Sequence, residues 1–240
     1  MQNQEAWKYS KYEPAGDGWR ASRDPTEVLA GSRLITDLVC AEYVAAIRKH
    51  ANGRLMDLGC GKAPLYGVYR EYSAEVTCVD WPGSAHGTSH VDQFVDLNGP
   101  MPFENDRFDT IICTDVLEHI WRHDVLWPEV ARILAPGGKA IIGTPFMYWL
   151  HEEPHDYFRW TPHALKAGAR DSGLETVEMR QIGGAIDVVA DILGKIGGSR
   201  LGGVVPAVLQ ALARTSPVRR RSGKWPGFAL AHLTVVAKSR

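Results

Sequence analysis

Seven short apolar runs, separated by helical or turn-rich stretches, constrain the fold of this chain more than any other feature. They occupy residues 54–58, 75–80, 91–96, 108–114, 139–144, 174–181 and 229–238. Repeated strand–helix units of this kind build a mainly parallel, doubly wound α/β sheet with buried strands. Residues 26–50 read as one helix. Pro25 stands at its start, where a missing N–H costs least, and Leu29, Leu34, Leu38, Tyr43 and Ile47 follow one face. Residues 124–134 have helical period and are stopped by Ala135-Pro136-Gly137-Gly138. Thr161 and Pro162 open a further helix as N-cap and first-turn proline. A chain of 240 residues has room for one large domain with a full core. A single domain over 1–240 is expected, with residues 1–25 as an ordered lid or a loose arm, and 183–228 as a helical insertion before the last strand.

The formal net charge of −1 gives no global field to attract nucleic acid, so no specific nucleic-acid binding is expected. Cys40, Cys60, Cys78 and Cys113 form no C-x-x-C pair, which argues for reduced core thiols and a cytoplasmic protein. The first residues lack the apolar core of a signal peptide, and no apolar stretch reaches the roughly 18 residues of a membrane span.

The segment Asp57-Leu58-Gly59-Cys60-Gly61-Lys62-Ala63 ends a strand in an acid and turns through glycines that let the backbone approach a ligand. A dinucleotide site would want a third glycine where Pro64 stands, and Asp57 would repel a diphosphate. Asp57 suits a cationic ammonium instead, directly or through water. Asp80, ending the next strand, can accept both hydroxyls of a ribose. Asp96 ends the third, where it suits an adenine amino group, with Leu97 packing on the ring.

With these three acids stand Phe108-Asp109-Thr110-Ile111-Ile112-Cys113-Thr114-Asp115-Val116-Leu117-Glu118-His119-Ile120 at the fourth strand and Ala135-Pro136-Gly137-Gly138-Lys139 before the fifth. Together they resemble the class I S-adenosylmethionine-dependent methyltransferases over about residues 30–182. The resemblance implies a Rossmann-like sheet of seven strands with the last antiparallel, and S-adenosyl-L-methionine as cofactor. It implies cofactor contacts from Asp57, Gly59, Gly61, Asp80, Trp81, Asp96, Leu97, Asp115 and Val116. Ala63 stands where the family has its third loop glycine.

The loop after the fifth strand, His151 to Thr161, should form the acceptor pocket. It concentrates two histidines, three acids, an arginine and three aromatics. Its Pro154-His155-Asp156-Tyr157-Phe158-Arg159-Trp160-Thr161 run resembles bacterial methyltransferases of glycan and secondary-metabolite assembly, which implies a sugar-like hydroxyl acceptor. A hydroxyl must lose a proton, and neutral histidine is the best-matched base near pH 7. His155 is the expected base, oriented by Asp156, with Glu152 as the alternative orienting group and His119 as the rival base. Glu152, His155 and Asp156 form a possible divalent-metal set, although no metal is expected. Residues 184–196 and 204–212 read as amphipathic helices, the first with Ile186, Val189, Leu193 and Ile196 on its apolar face and Asp187, Asp191 and Lys195 on its polar one. Three roles compete for this insertion: a cap over the acceptor, a homodimer interface in a chain otherwise monomeric, and a peripheral membrane element within 184–224, which the basic cluster Arg219-Arg220-Arg221 would favour. N-methylation of an amine or nucleobase, a non-catalytic cofactor-binding subunit, and a nucleotide-dependent oxidoreductase are the other classes such a fold could serve.

Overall fold

All seven apolar runs form strands of one sheet in the computed structural model, which describes residues 1–197, 208, 211, 212, 215 and 227–240. An N-terminal hairpin of β1 (Tyr12–Ala15) and β2 (Gly18–Ala21) precedes α1 (Arg33–His50). The sheet then builds from β3 (Gly53–Leu58), β4 (Ser73–Asp80), β5 (Gln93–Phe94), β6 (Phe108–Thr114), β7 (Leu134–Pro145), β8 (Leu174–Ile182) and β9 (Ala231–Lys238). Between strands lie α2 (Tyr66–Tyr69), α3 (His123–Ile133), α4 (Pro162–Asp171) and α5 (Ala185–Gly197). The order across the sheet is β5-β4-β3-β6-β7-β9-β8. Strand β9 runs antiparallel to both β7 and β8, and the pairs from β5 to β7 are parallel.

Alternation along the strands feeds two cores. Leu55, Ile112 and Ile141 pack with Val39, Tyr43 and Ile47 of α1 on one face. Met56, Ile111 and Ile142 pack with Leu126, Val130 and Leu165 of α3 and α4 on the other. Period-two side-chain direction makes this division, and burial on both faces is what the apolar runs required. The order of crossovers reverses between β3 and β6, and the carboxyl ends of these strands flank the resulting crevice, where such sheets bind ligands.

Four local expectations are corrected. The helix expected over 26–50 begins only at Arg33. Asp24 Oδ1 accepts hydrogen bonds from the Thr26 N–H and hydroxyl at 2.8 and 2.7 Å, a side-chain turn that competes with helix, and Leu29 is left exposed. The run 91–96 pairs only at Gln93–Phe94 on the sheet edge; the Asp92 carboxylate takes the Cys78 N–H at 2.7 Å beside it. Ala135-Pro136-Gly137-Gly138 lies inside β7 as a bulge, with register passing from Phe108↔Leu134 to Thr110↔Lys139. In α5 the faces are inverted. Val189, Leu193 and Ile196 are exposed, while Asp191 and Lys195 are buried as an ion pair, with the Lys195 ammonium 3.7 Å from the centre of the Tyr148 ring. A cation over an aromatic face, paired with an acid one turn away, outweighs the aliphatic stripe here. The helix expected over 204–212 falls almost wholly outside the described residues.

Thr161 caps α4 as expected, accepting from Ala164 N at 3.1 Å, with Pro162 in the first turn. The N-terminal arm is ordered. Trp7 Nε1 donates to the Ala63 carbonyl at 3.0 Å, and the Met1 ammonium donates to the Val76 carbonyl at 2.7 Å. All four cysteines are buried and free. Among the described residues, no helix is long and apolar enough to cross a membrane.

Candidate active site

Sharp turns at the carboxyl ends of β3, β4 and β6 open a cavity of about 520 Å³, within the range of small-molecule and cofactor sites. Gly59, Asp80, Trp81, Asp96, Leu97, Asp115 and Val116 all line it. Gly59 has φ 79°, and a Cβ there would stand 2.3 Å from Val116 Cγ2. This wall can approach a ligand only because it lacks a side chain. Asp80 holds the turn from the next strand. One carboxylate oxygen accepts from Gly61 N at 2.7 Å and the other from Trp81 N at 2.8 Å. Gly61 itself does not line the cavity; its N–H is spent on Asp80. Asp96 Oδ1 accepts from both nitrogens of Asn98, whose own Oδ1 takes the N–H groups of Trp121 and Arg122. Asp115 adopts the left-handed conformation and is held by the Tyr43 hydroxyl at 2.8 Å and by Lys11 at 2.7 Å. The cradle fits the methionine-type nucleoside implied by the sequence: a side-chain-free wall and two strand-end acids on the cavity.

Asp57 lies beneath the loop rather than on the cavity, bound to the Tyr69 hydroxyl at 2.7 Å. Burial pushes its carboxyl up to about 7, and Asp80 adds to the rise against the Tyr69 bond. An unfolded carboxyl of this type titrates near pH 4. Between about pH 4 and 7 the folded chain therefore keeps a proton that the unfolded chain releases. This contribution to stability falls as pH rises through that window and is level above it, a span of about 4 kcal/mol. Urea unfolding of the cofactor-free protein at pH 5 and pH 8 should show the fall. Asp57→Asn, which keeps an oxygen for Tyr69, should flatten it. A native profile that Asp57→Asn leaves unaltered contradicts a buried, protonated Asp57.

The loop after β7 closes over the other end. Glu152 bonds His86 Nε2 at 2.8 Å, and the His155 ring stacks edge-on against Trp81 at 5.3 Å. The bond to His86, with that ring's charge, holds the Glu152 carboxyl down at about 2. His155 is not oriented by Asp156: its Nδ1 partners the Tyr157 hydroxyl at 3.1 Å. Asp156 is buried, bonds both terminal nitrogens of Arg159, and faces His151 Nδ1 at 3.1 Å. Burial works against its charge, yet Arg159 and the His151 backbone N–H keep its carboxyl near 2. His151, which the sequence reading passed over, thus has the carboxylate partner expected for His155. His119 Nδ1 bonds the His155 carbonyl at 2.9 Å. Glu118 is fully buried between the two rings, and burial raises its carboxyl. Glu118, His119 and His151 bring one ligand atom each within 4.8 Å of one another, whereas the set Glu152, His155 and Asp156 does not converge in this way. A second pocket of about 170 Å³ opens here, lined by Lys11, Tyr148, Glu118 and His151, and it shares Asp115 and Glu152 with the larger cavity.

A family model described as "Methyltransferase domain" matches residues 56–142, the stretch from β3 to β7. A ubiquinone biosynthesis O-methyltransferase of Xanthomonas oryzae pv. oryzae is 30% identical over 113 residues, covering 43% of this chain and 47% of the relative. That of Aromatoleum aromaticum is 26% identical over 156 residues, 54% of this chain and 67% of the relative. The chain thus spans about half the length of the first of these relatives. Among solved structures, an S-adenosylmethionine-dependent methyltransferase from Mesorhizobium loti has a TM-score of 0.55 at 14% identity, covering 82% of this chain and 96% of that one. The [4+2]-cyclase SpnF has a TM-score of 0.56 at 16% identity, with 84% and 82% covered. Likenesses at this identity speak for the fold alone, and the cyclase is a reminder that one fold hosts different chemistries. With the glycine turn and the strand-end acids in their places around the cavity, residues 56–142 match a methyltransferase domain, and the chain has the fold of the S-adenosylmethionine-dependent methyltransferases.

Proposed function

We propose that the chain transfers the methyl group of S-adenosylmethionine to a hydroxyl of a small, sugar-like acceptor. The observation that carries this reading is the junction of the two cavities, where Glu118, His119, His151 and Glu152 meet between a cofactor-sized space and a ring-sized one. The smaller pocket, about 170 Å³, compares with the roughly 150 Å³ cavity that admits one benzene molecule, so a single six-membered ring fits. When bound, the cofactor supplies a methyl group already activated on a positively charged sulfur. The protein's task is then to align and to manage a proton. Asp80 is suited to the ribose hydroxyls and Asp96 to the adenine amino group. The polar wall of Lys11, Glu118 and His151 is suited to a ring rich in hydroxyls. The ion pair of α5, seated on Tyr148, supports a cap role for that helix over the acceptor loop.

A phenolic ring is the second reading. Ile35, Val39, Pro145 and Ala231 make part of the small pocket apolar, and the relatives from ubiquinone biosynthesis carry an O-methyltransferase name. Labelled S-adenosylmethionine offered with single-ring sugars and with phenols separates the two. Labelled sugar ether supports the first reading, labelled phenol ether the second, and transfer only to amines overturns both. His155→Ala is expected to lose far less than the roughly 100-fold in kcat that removal of a general base brings. A loss of that size with cofactor affinity intact would return His155 to the chemistry.

A further inference from the structure

Glu118 Oε1 is fully buried and has no hydrogen-bond partner. Two ring nitrogens face it, His119 Nε2 at 3.7 Å and His151 Nε2 at 3.8 Å, both beyond hydrogen-bond length. The other nitrogen of each ring fixes what these atoms present. His119 Nδ1 faces the His155 backbone carbonyl, which can only accept, so Nδ1 carries the hydrogen. His151 Nδ1 faces the Asp156 carboxylate, held ionised by Arg159, with the same consequence. In the neutral rings both Nε2 atoms therefore turn a lone pair toward a carboxylate oxygen that also offers only lone pairs. Three electron-pair donors face one point, and they repel unless a shared proton or a metal cation stands between them. A carboxylate or carbonyl behind each imidazole is also the usual support of a metal-bound histidine.

We propose that Glu118, His119 and His151 bind one divalent ion of the manganese-to-zinc series, which takes the acceptor hydroxyl as a further ligand. The proposal rests on the methyl-transfer reading for its chemistry but not for its geometry. Two imidazoles and a carboxylate suit first-row transition ions better than calcium or magnesium. Donors roughly 2.0–2.2 Å from one ion stand about 3–3.5 Å apart, so the two Glu118 distances of 3.7 and 3.8 Å must shorten by a few tenths of an ångström, and the two imidazole nitrogens, which lie within 4.8 Å, must close to the same spacing. The set lies at the junction of the two pockets, with Glu152 Oε2 3.9 Å from His119 Nε2. An ion there lowers the hydroxyl's pKa and fixes its oxygen beside the cofactor cavity. In the transfer, the acceptor oxygen forms a bond to the methyl carbon. The bond from that carbon to sulfur breaks, and its electron pair stays on sulfur as a thioether. The hydroxyl proton leaves to water.

The test uses the untagged full chain, stripped with chelator and dialysed, then titrated with MnCl2 and with ZnCl2 under calorimetry and equilibrium dialysis. One ion per chain is expected. Glu118→Gln and His151→Asn should each weaken binding at least tenfold, and Asp156→Asn by about 10- to 100-fold through the His151 ring it orients. S-adenosylhomocysteine should still bind all three variants, which shows that they are folded. A native chain that binds neither ion, or variants with unchanged ion affinity, overturns the proposal. Transfer that continues undiminished in chelator also overturns it and leaves the methyl-transfer reading intact. One ion bound as expected, with no acceptor methylated, upholds the site and overturns that reading instead.

Discussion

Asp80→Ala should raise the Kd for S-adenosylhomocysteine by about 10- to 150-fold, the equivalent of about 1.5–3 kcal/mol for hydrogen bonds to a charged group. Two losses combine. The ribose would lose its carboxylate, and the glycine turn would lose the bond that holds Gly61 N at 2.7 Å. Asp96→Ala should cost less, because Asp96 is exposed and its bonds run to the neighbouring Asn98. Calorimetry of the two variants against the native chain checks both statements. Unchanged affinity in Asp80→Ala would remove this residue from the site.

Gly143→Ala should lower Tm by about 5–25 °C. The residue sits inside β7, paired to Thr114 on one side and Leu233 on the other, so its backbone cannot withdraw. A Cβ there would stand 2.3 Å from the Tyr43 hydroxyl oxygen and 2.4 Å from its ring. Tyr43 is fully buried and must move, which breaks its 2.8 Å bond to Asp115. Overpacking of this kind costs about 1–3 kcal/mol, and a bond to a charged group about 1.5–3 more. For a chain of this size each kcal/mol is worth about 2–4 °C. Adding Tyr43→Leu should make the pair less damaging than the sum of the two changes, because the clash is shared. A variant that melts with the native chain contradicts this packing.

The sheet was legible because buried strands are apolar on both faces and need no partner to be recognised. The acids at the strand ends were legible for a related reason: a charged residue closing an apolar run has to face a turn or a ligand. The errors arose where tertiary contact overrode local pattern. α5 has a clean aliphatic stripe, yet buries Asp191 and Lys195 because Tyr148 and Trp149 offer the ammonium two aromatic faces. The first turn of the expected 26–50 helix is lost to the Asp24 side chain, a competition that apolar spacing does not register. Within the acceptor loop, adjacency in sequence suggested that Asp156 orients His155. Neighbouring side chains diverge, and the acid serves His151 five residues earlier. Lys11 and Tyr43 come to Asp115 from 104 and 72 residues away, and no local signal marks them.

In the proposed reaction a methyl group from S-adenosylmethionine comes to rest on an acceptor oxygen at the Glu118, His119 and His151 junction. The most direct measurement supplies the protein with S-adenosylmethionine carrying a carbon-13 methyl group, together with a cell extract as acceptor source. The carbon and proton shifts of the labelled methyl in the product distinguish oxygen from nitrogen and sulfur attachment. A labelled O–CH3 product that is absent with Glu118→Gln is the predicted result. Label found only on nitrogen, or O–CH3 formed equally well by Glu118→Gln, would contradict it.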